Sequence, residues 1–378
     1  MASADFLIVG GGIAGLSAAA RLAAHGRTVV LEGEDALGYH SSGRSVTFSH
    51  YGIGNSAVRG LTSYSRAFFE APPEGFCASP LYRSQASLYV ATEQMMAQLT
   101  ALHAEMARFT DKVEWLDEDG VRALCPVVKT GAGAVLRGVV DTSGLRLDGD
   151  ALLQSYAKAA RLKGGEIRTG QRIAAIERTG RDWLVRTEAG EEWSAPVLVD
   201  AAGAWADEVA RLAGVQPLGL KPMRRTIIVF DPPAGEEAGA WPFVHTAAGD
   251  FYMLPEAGRL LASPVDEIAS DPCDAAAEEY DIALAAAKVE EYTTIAVRRI
   301  AHSWAGLRSF VADRVPTAGF APDAPGFFWL AGQGGYGLQT APAMAEIVEA
   351  LITGATWPAG LAALGVERTH VDPARLLA

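Results

Sequence analysis

Near the amino terminus, Gly10-Gly11-Gly12-Ile13-Ala14-Gly15 places glycine at the first, third and sixth positions of a G-x-G-x-x-G pattern. An apolar run, Phe6 to Val9, precedes it and an alanine-rich segment, Ile13 to Ala24, follows, so the pattern sits where a strand turns into a helix. In that setting Gly10 allows the tight turn, Gly12 lets the backbone approach a pyrophosphate and Gly15 lets helix pack on strand. Ile13 and Ala14 then belong to the first helical turn, whose unpaired N–H groups attract the anion. Glu32 ends the next apolar run, Thr28 to Leu31, where a carboxylate accepts hydrogen bonds from ribose hydroxyls and disfavours a 2′-phosphate. The chemistry implied is dinucleotide binding. The fingerprint alone does not separate a nicotinamide from a flavin dinucleotide, and Glu34 reads as a solvated neighbour.

A second glycine cluster, Gly332-Gln333-Gly334-Gly335-Tyr336-Gly337-Leu338-Gln339-Thr340, precedes the helical segment Ala341 to Leu351. Small residues ahead of a helix aim backbone N–H groups forward, where they stabilise negative charge developing on a bound ring. A tight turn before a helix satisfies the same pattern. Cys77, Cys125 and Cys273 have no C-x-x-C spacing and the histidines no metal-ligand spacing, so neither a disulfide framework nor a metal site is indicated.

The elements that must position these groups are legible in outline. Strand, helix and strand from Phe6 to Leu31 are followed, after an interval, by a helix over Ala151 to Leu162. Strands are expected at Glu166-Ile167, Ile173 to Glu177, Trp183 to Thr187 and Val197 to Val199, and Ala201-Ala202-Gly203-Ala204-Trp205 opens another helix. Between and beyond them, Ala78 to Val140 and Leu220 to Trp304 carry β-rich fragments such as Thr226 to Phe230, Asp250 to Leu254 and Arg259 to Ala262. Polar helices are expected there at Glu93 to Arg108 and Asp274 to Val289. These pieces read as a second domain inserted into the first.

With 378 residues, 49% of them hydrophobic and 20% charged, the chain suits two packed soluble domains. Its formal net charge of −13 opposes binding to nucleic acid or an anionic membrane, so an anionic substrate must be held by local arginines. Phe6 to Leu16 lacks a basic leader and is too glycine-rich for a signal peptide or a membrane span; a reducing cytoplasm is the expected location.

Gly38-Tyr39-His40-Ser41-Ser42-Gly43-Arg44-Ser45, Ala201 to Trp205 and the second glycine cluster, joined to the amino-terminal motif, resemble the D-amino-acid oxidase-like flavoprotein family. Within it, Tyr39 to Ser45, Ser65 to Phe69, Gly75-Phe76-Cys77, Trp304 to Phe310 and Gly334 to Gly337 are most similar to bacterial D-arginine dehydrogenases. The resemblance runs nearly end to end. It implies an α/β protein whose Rossmann-like FAD domain comprises 1–77, 141–219 and 305–378, with an inserted α+β substrate domain, 78–140 and 220–304, on a mostly antiparallel sheet. FAD is expected without covalent attachment, since the cysteines lie outside the flavin-facing motifs. The implied cofactor residues are Gly10, Gly12, Ile13, Ala14, Gly15, Glu32, Gly43, Arg44, Ser45, Ile173, Ala202, Gly203 and Trp205, with Gly334, Gly335, Tyr336, Gly337, Leu338, Gln339 and Thr340.

The resemblance further implies oxidative deamination of a D-amino acid, with electrons passing to an unidentified acceptor other than oxygen. Arg308 and Arg225 would hold the substrate carboxylate, with Arg224 the alternative to Arg225; Tyr252 lies over the substrate and the Gly335 carbonyl accepts from its amine. The side-chain pocket falls on Phe48, His50, Ile53, Ser87, Phe243 and His245. Ser87 stands where the arginine-specific branch carries an acid, which argues against a strongly cationic substrate. Alternatives with the same fold are oxidation of a secondary amine (an N-alkyl amino acid, an opine or a cyclic imino acid) or of a 2-hydroxy acid. From another class, the alternative is a flavin-binding partner without turnover.

Overall fold

The computed structural model describes residues 2–377. Phe6–Val9, Thr28–Leu31, Val197–Asp200 and Phe327–Ala331 are almost fully buried, as strands covered on both faces must be, which is why they read as continuous apolar runs. They form the middle of a six-stranded sheet ordered Glu166–Arg168, Thr28–Leu31, Phe6–Val9, Val197–Asp200, Phe327–Ala331, Thr317–Phe320. The first five strands are parallel and the last is antiparallel. Helices Ile13–Leu22, Gly149–Leu162 and Gly337–Thr353 share one core through Leu16, Leu152 and Ile347. Trp183 and Trp193, from a smaller sheet, and helix Ala206–Leu212 contribute to another.

Strand order reverses between Phe6–Val9 and Val197–Asp200, which opens a crevice past their carboxyl ends. Gly10 lies there with φ +108°, and a Cβ on it would run into the Ala201 carbonyl oxygen, so both backbone angle and space demand glycine.

A nine-stranded sheet stands apart from the first; its strands pair antiparallel except Ser87–Ala91 with Phe243–Thr246. Alternation divides its faces. Leu88, Val244, Met253 and Ile228 pack with helix Glu279–Tyr292 on one side. Residues of opposite parity, among them Arg225, Ile227, Tyr252, Phe243 and His245, occupy the other. The long strand Ile300–Phe310 pairs with Lys221–Phe230 along its length. The segment boundaries expected at 140/141 and 304/305 fall inside the strands Arg137–Asp141 and Ile300–Phe310.

Two elements differ from expectation. The helix expected over Asp274 to Val289 starts only at Glu279, because the Asp274 carboxylate and Ala275 carbonyl are bonded to Arg44 and hold the preceding residues in irregular backbone. The segment after Ala201 begins as a short 3₁₀ turn, Gly203–Trp205, with the Asp200 carboxyl accepting from Ala202 N–H at 3.1 Å. Among the described residues no helix is long and apolar enough to cross a membrane, and no group of three or more metal-ligating side chains converges.

A Cβ on Gly15 would collide with the Gly10 carbonyl oxygen, so helix and strand would have to separate. Gly15→Ala should therefore destabilise the protein by about 1–3 kcal/mol in urea unfolding despite alanine's better helix propensity. Unchanged or increased stability would mean that this approach is not close.

Candidate active site

The crevice begins at Glu32, whose carboxylate accepts from the backbone N–H of Gly11 at 2.5 Å and of Glu34 at 2.8 Å. Ile173, Ala202, Gly203 and Trp205 line this end, and the His40 ring lies 4.5 Å from that of Trp205. Glu34, expected to be free in solvent, is paired with His40 and Arg172, each at 3.1 Å. The groove continues past Gly12, Ile13 and Ala14, where the Ser42 hydroxyl accepts from Ile13 N–H at 3.0 Å. Its far end reaches Ser45, Gly334, Gly335, Gly337 and Leu338. Gly43 lines an adjoining polar hollow instead.

Backbone donors lie at both ends. Helix Ile13–Leu22 starts at Gly12, and the first amide of Gly337–Thr353 to find a partner in that helix's register is Thr340, to Tyr336 O, which leaves those of Gly337, Leu338 and Gln339 without one. Tyr252 Oη, Ser309 Oγ and Gln333 Nε2, all from lining residues, are buried without a partner among the described residues. A glycine cradle, a carboxylate at one end and unsatisfied donors at the other fit a dinucleotide whose ring system ends beside Gly334–Leu338.

Several side chains expected at the cofactor have other partners. The Arg44 guanidinium is bonded to Asp274 and to the carbonyls of Tyr39, Ala275 and Ala305, while its own carbonyl accepts from Trp304 Nε1 at 3.0 Å. With Ser41 Oγ bonded to Leu307 O at 2.6 Å, these contacts rivet the loop 39–45 to strand Ile300–Phe310. Tyr336 is buried against Phe310 with its hydroxyl on Arg314 O. Gln339 donates to Thr62 Oγ1 at 2.8 Å and Thr340 to Tyr336 O at 2.9 Å, so both side chains serve packing and leave only backbone for a ligand.

Arg225 and Arg308 emerge on the crevice face. Register pairs Arg225 with Gly306 and Met223 with Arg308, so the two arginines share a face diagonally. Arg224, of opposite parity, pairs with Asp281 at 2.8 Å and with Glu278 on the far side, so Arg225 and not Arg224 lines the crevice. Arg225 is buried and fixed: its Nε donates to Asp266 O at 2.7 Å and its Nη2 to Glu267 at 3.4 Å. Burial first, and the neighbouring Arg308 second, push it down to about 10, so it stays cationic at neutral pH. Asp266 is anchored in turn by Thr226 N–H at 2.8 Å and Thr226 Oγ1 at 3.0 Å. Arg308 differs. Its guanidinium makes no ion pair or hydrogen bond among the described residues and lies against Gly335, where a Cβ would come within 2.9 Å of its Nη1 and displace it.

Behind Tyr252 an aromatic cluster closes the sheet face. Phe48 and Phe243 rings are 4.8 Å apart, His245 lies 3.9 Å from Phe243 and 5.2 Å from His50, and His50 Nδ1 meets Tyr89 Oη at 2.6 Å. Ser87 sits opposite Phe243 in the register. Ile53 lies apart, packed with Val58, Phe310 and Tyr336, because the chain turns away after Tyr51. Burial above all, with Arg308 and Arg59 nearby, drives His50 down to about 3; burial, His50 and Arg308 drive His245 well below its ordinary 6.5. Both rings are neutral at neutral pH. Gln333, Ser309, Ser42, Asp266 and Tyr89 escaped the sequence reading. Gln333 alone carried a signal, an amide inside a glycine cluster.

A model of the family described as DAO, FAD dependent oxidoreductase, matches residues 5–351. The chain is 25% identical over 275 residues to the hydrogen cyanide synthase subunit HcnC of Pseudomonas aeruginosa, covering 72% of this chain and 63% of that protein. It is 28% identical over 223 residues to L-2-hydroxyglutarate dehydrogenase of Escherichia coli, covering 56% and 50%. The matched region thus spans between half and two thirds of these relatives' length. The structure of L-alpha-glycerophosphate oxidase from Mycoplasma pneumoniae with FAD bound superposes with a TM-score of 0.83 at 20% identity, over 95% of this chain and 96% of that one. At that identity the likeness concerns the fold.

Neutral buried histidines leave a signature in stability. An unfolded His245 takes up a proton near pH 6.5 while the folded one does not, so acidification below that value favours unfolding through this residue. Asp141 and Asp200, raised by burial, tilt the balance the other way, so the comparison with a variant isolates the effect. His245→Leu should lose up to about 1.4 kcal/mol less stability per pH unit than wild type between pH 6.5 and 5, read from urea midpoints. Parallel pH profiles would show that His245 titrates normally in the folded protein.

Proposed function

The chain belongs to the FAD dependent oxidoreductase family, and on that premise we propose that it oxidises a small α-amino acid at Cα, D enantiomers foremost, to an imino acid that water converts to a 2-oxo acid and ammonia. Arg308 carries the reading: a cation in the crevice wall, unpartnered among the described residues, beside the segment where the ring system would end. Gly10, Gly12, Ile13, Ala14 and Glu32 would hold the adenosine diphosphate portion of the cofactor, with Ala202, Gly203 and Trp205 alongside. The glycines 334, 335 and 337 with Leu338 would hold the other end. When bound, FAD supplies a two-electron acceptor that takes the hydride from the substrate Cα.

The chain's own part is capture and alignment. Arg308 and Arg225 receive the carboxylate, two cations of which Arg225 is already compensated by Glu267, so the incoming anion neutralises Arg308. The unpartnered Tyr252 hydroxyl adds a donor, and the Gly335 carbonyl fixes the amine. Ile227, Leu307 and Leu338 on the crevice wall limit water around Cα. No Asp, Glu, Lys or His lines this stretch among the described residues, so no side chain is assigned the amine proton; the amine binds neutral and its remaining proton leaves with solvent. Orientation therefore supplies most of the rate.

Similarity to L-2-hydroxyglutarate dehydrogenase supports a second reading, the same clamp presenting a 2-hydroxy acid. Dehydrogenase chemistry with an acceptor other than oxygen follows from resemblance alone. Strong preference for D-arginine is disfavoured, because Ser87 and the neutral histidines offer a guanidinium no ionised partner.

Anaerobic mixing of holoenzyme with D- and L-amino, N-alkyl and 2-hydroxy acids, followed by flavin absorbance, tests this directly. Small neutral D-amino acids should bleach it, and Arg308→Met should raise the half-saturating concentration by roughly a hundredfold through loss of a charge-assisted pair. Bleaching by hydroxy acids alone selects the second reading. An unchanged Arg308→Met profile removes the clamp.

A further inference from the structure

The aromatic cluster behind Tyr252 contains more polarity than packing requires. His245 Nε2 is buried without a partner, and so is Ser87 Oγ on the adjacent strand. The register sets His245 opposite Tyr252 on one side and Tyr89 on the other, so these groups form a row leading away from Arg308. His50 stacks on His245 from the loop that crosses this face. The Tyr89 hydroxyl stays protonated, held far above its ordinary value by burial, and meets His50 Nδ1 at 2.6 Å. That contact engages one nitrogen of the neutral imidazole and leaves Nε2 as its other polar atom. Among the described residues His50 Nε2 has no hydrogen-bond partner.

Charge restricts what this row can meet. Arg59 is paired with Glu105 at 3.7 Å, Arg146 with Glu256, and Arg225 and Arg314 with Asp266 and Glu267. Asp141, at the far end beyond Ser87, is raised by burial and has one oxygen on the Ser143 amide and hydroxyl. Among the described residues Arg308 is thus the cation of this face without an ion pair, and the substrate α-carboxylate supplies one. A second anion would find no free cation there, and an ammonium or guanidinium would meet two neutral imidazoles and no acid short of Asp141 at the far end, each costly in a site largely shut off from water. An apolar end group would leave His245 Nε2 and Ser87 Oγ, both buried, without a partner.

We infer that His50 and His245 form a side-chain subsite selective for a neutral, hydrogen-bonding end group of the amide or hydroxyl type, reached from an α-carboxylate held on Arg308. The inference rests on the carboxylate clamp of the proposed function and names the side-chain class it serves.

Near-isosteric carboxylates lacking the amine test it without turnover: succinamate, succinate, 4-methylpentanoate and 4-aminobutanoate, titrated calorimetrically into holoenzyme at pH 7.5. Succinamate should bind about tenfold or more tighter than each of the others. His245→Leu, and separately His50→Phe, should cut the succinamate to 4-methylpentanoate ratio by about tenfold. A tighter fit of any other ligand, or equal binding of all four, overturns the subsite while leaving the clamp. Binding of none overturns clamp and subsite together. Unaltered ratios in both variants overturn the assignment to these histidines, and native circular dichroism of each variant guards against misfolding.

Discussion

An arginine with no partner is the constraint on which this molecule turns. Most cations around the crevice are paired with protein carboxylates, but Arg308, lying against Gly335, makes no ion pair among the described residues. The side chain is half-buried in the crevice wall, and the surrounding structure is arranged to keep it there. Strand Ile300–Phe310 runs the full length of its partner so that Arg308 lands on the crevice face diagonal to Arg225. Asp266, itself anchored to Thr226, keeps Arg225 from swinging into the same space. Arg44 and Ser41 stitch the loop 39–45 to that strand, so the wall carrying Arg308 and the groove carrying the dinucleotide move as one body.

The two sheets divide the work. One supplies the crevice at its reversal of strand order, where Gly10 and the helix beginning at Ile13 leave room and donors for a pyrophosphate. The other supplies a face whose side chains grade from cationic at Arg308 and Arg225, through Tyr252, to neutral aromatic at His245 and His50. That grading is the feature specific to this chain. Membership of an FAD-dependent oxidoreductase family establishes the cofactor and the class of chemistry; the grading bears on which molecule is oxidised.

Local signals made the amino-terminal unit legible, since strand, glycine turn, helix and Glu32 lie within one short stretch whose geometry is set by neighbouring residues. The second glycine cluster was legible for the same reason. What escaped depends on distant pairing. Choosing Arg225 over Arg224 requires knowing the parity of Lys221–Phe230 against a strand some eighty residues later. The aromatic cluster joins residues 48–50, 87–89 and 243–252, and no single segment hints at the stack. The helix expected from Asp274 yields its first residues to a tertiary contact with Arg44, which local propensity does not encode. Gln339 and Thr340 belong to the glycine-rich motif yet turn inward, because a helix beginning at Gly337 rotates their side chains away from the crevice.

The central claim, that an unpartnered Arg308 exists to receive a carboxylate, is tested most directly by titrating holoenzyme with propionate and with propionamide while following the flavin absorbance. The two differ in charge and hardly in size. A saturable spectral change with propionate, weakened by rising salt and absent with propionamide, is the predicted result. Equal binding of the amide, or no response to propionate, would contradict the account.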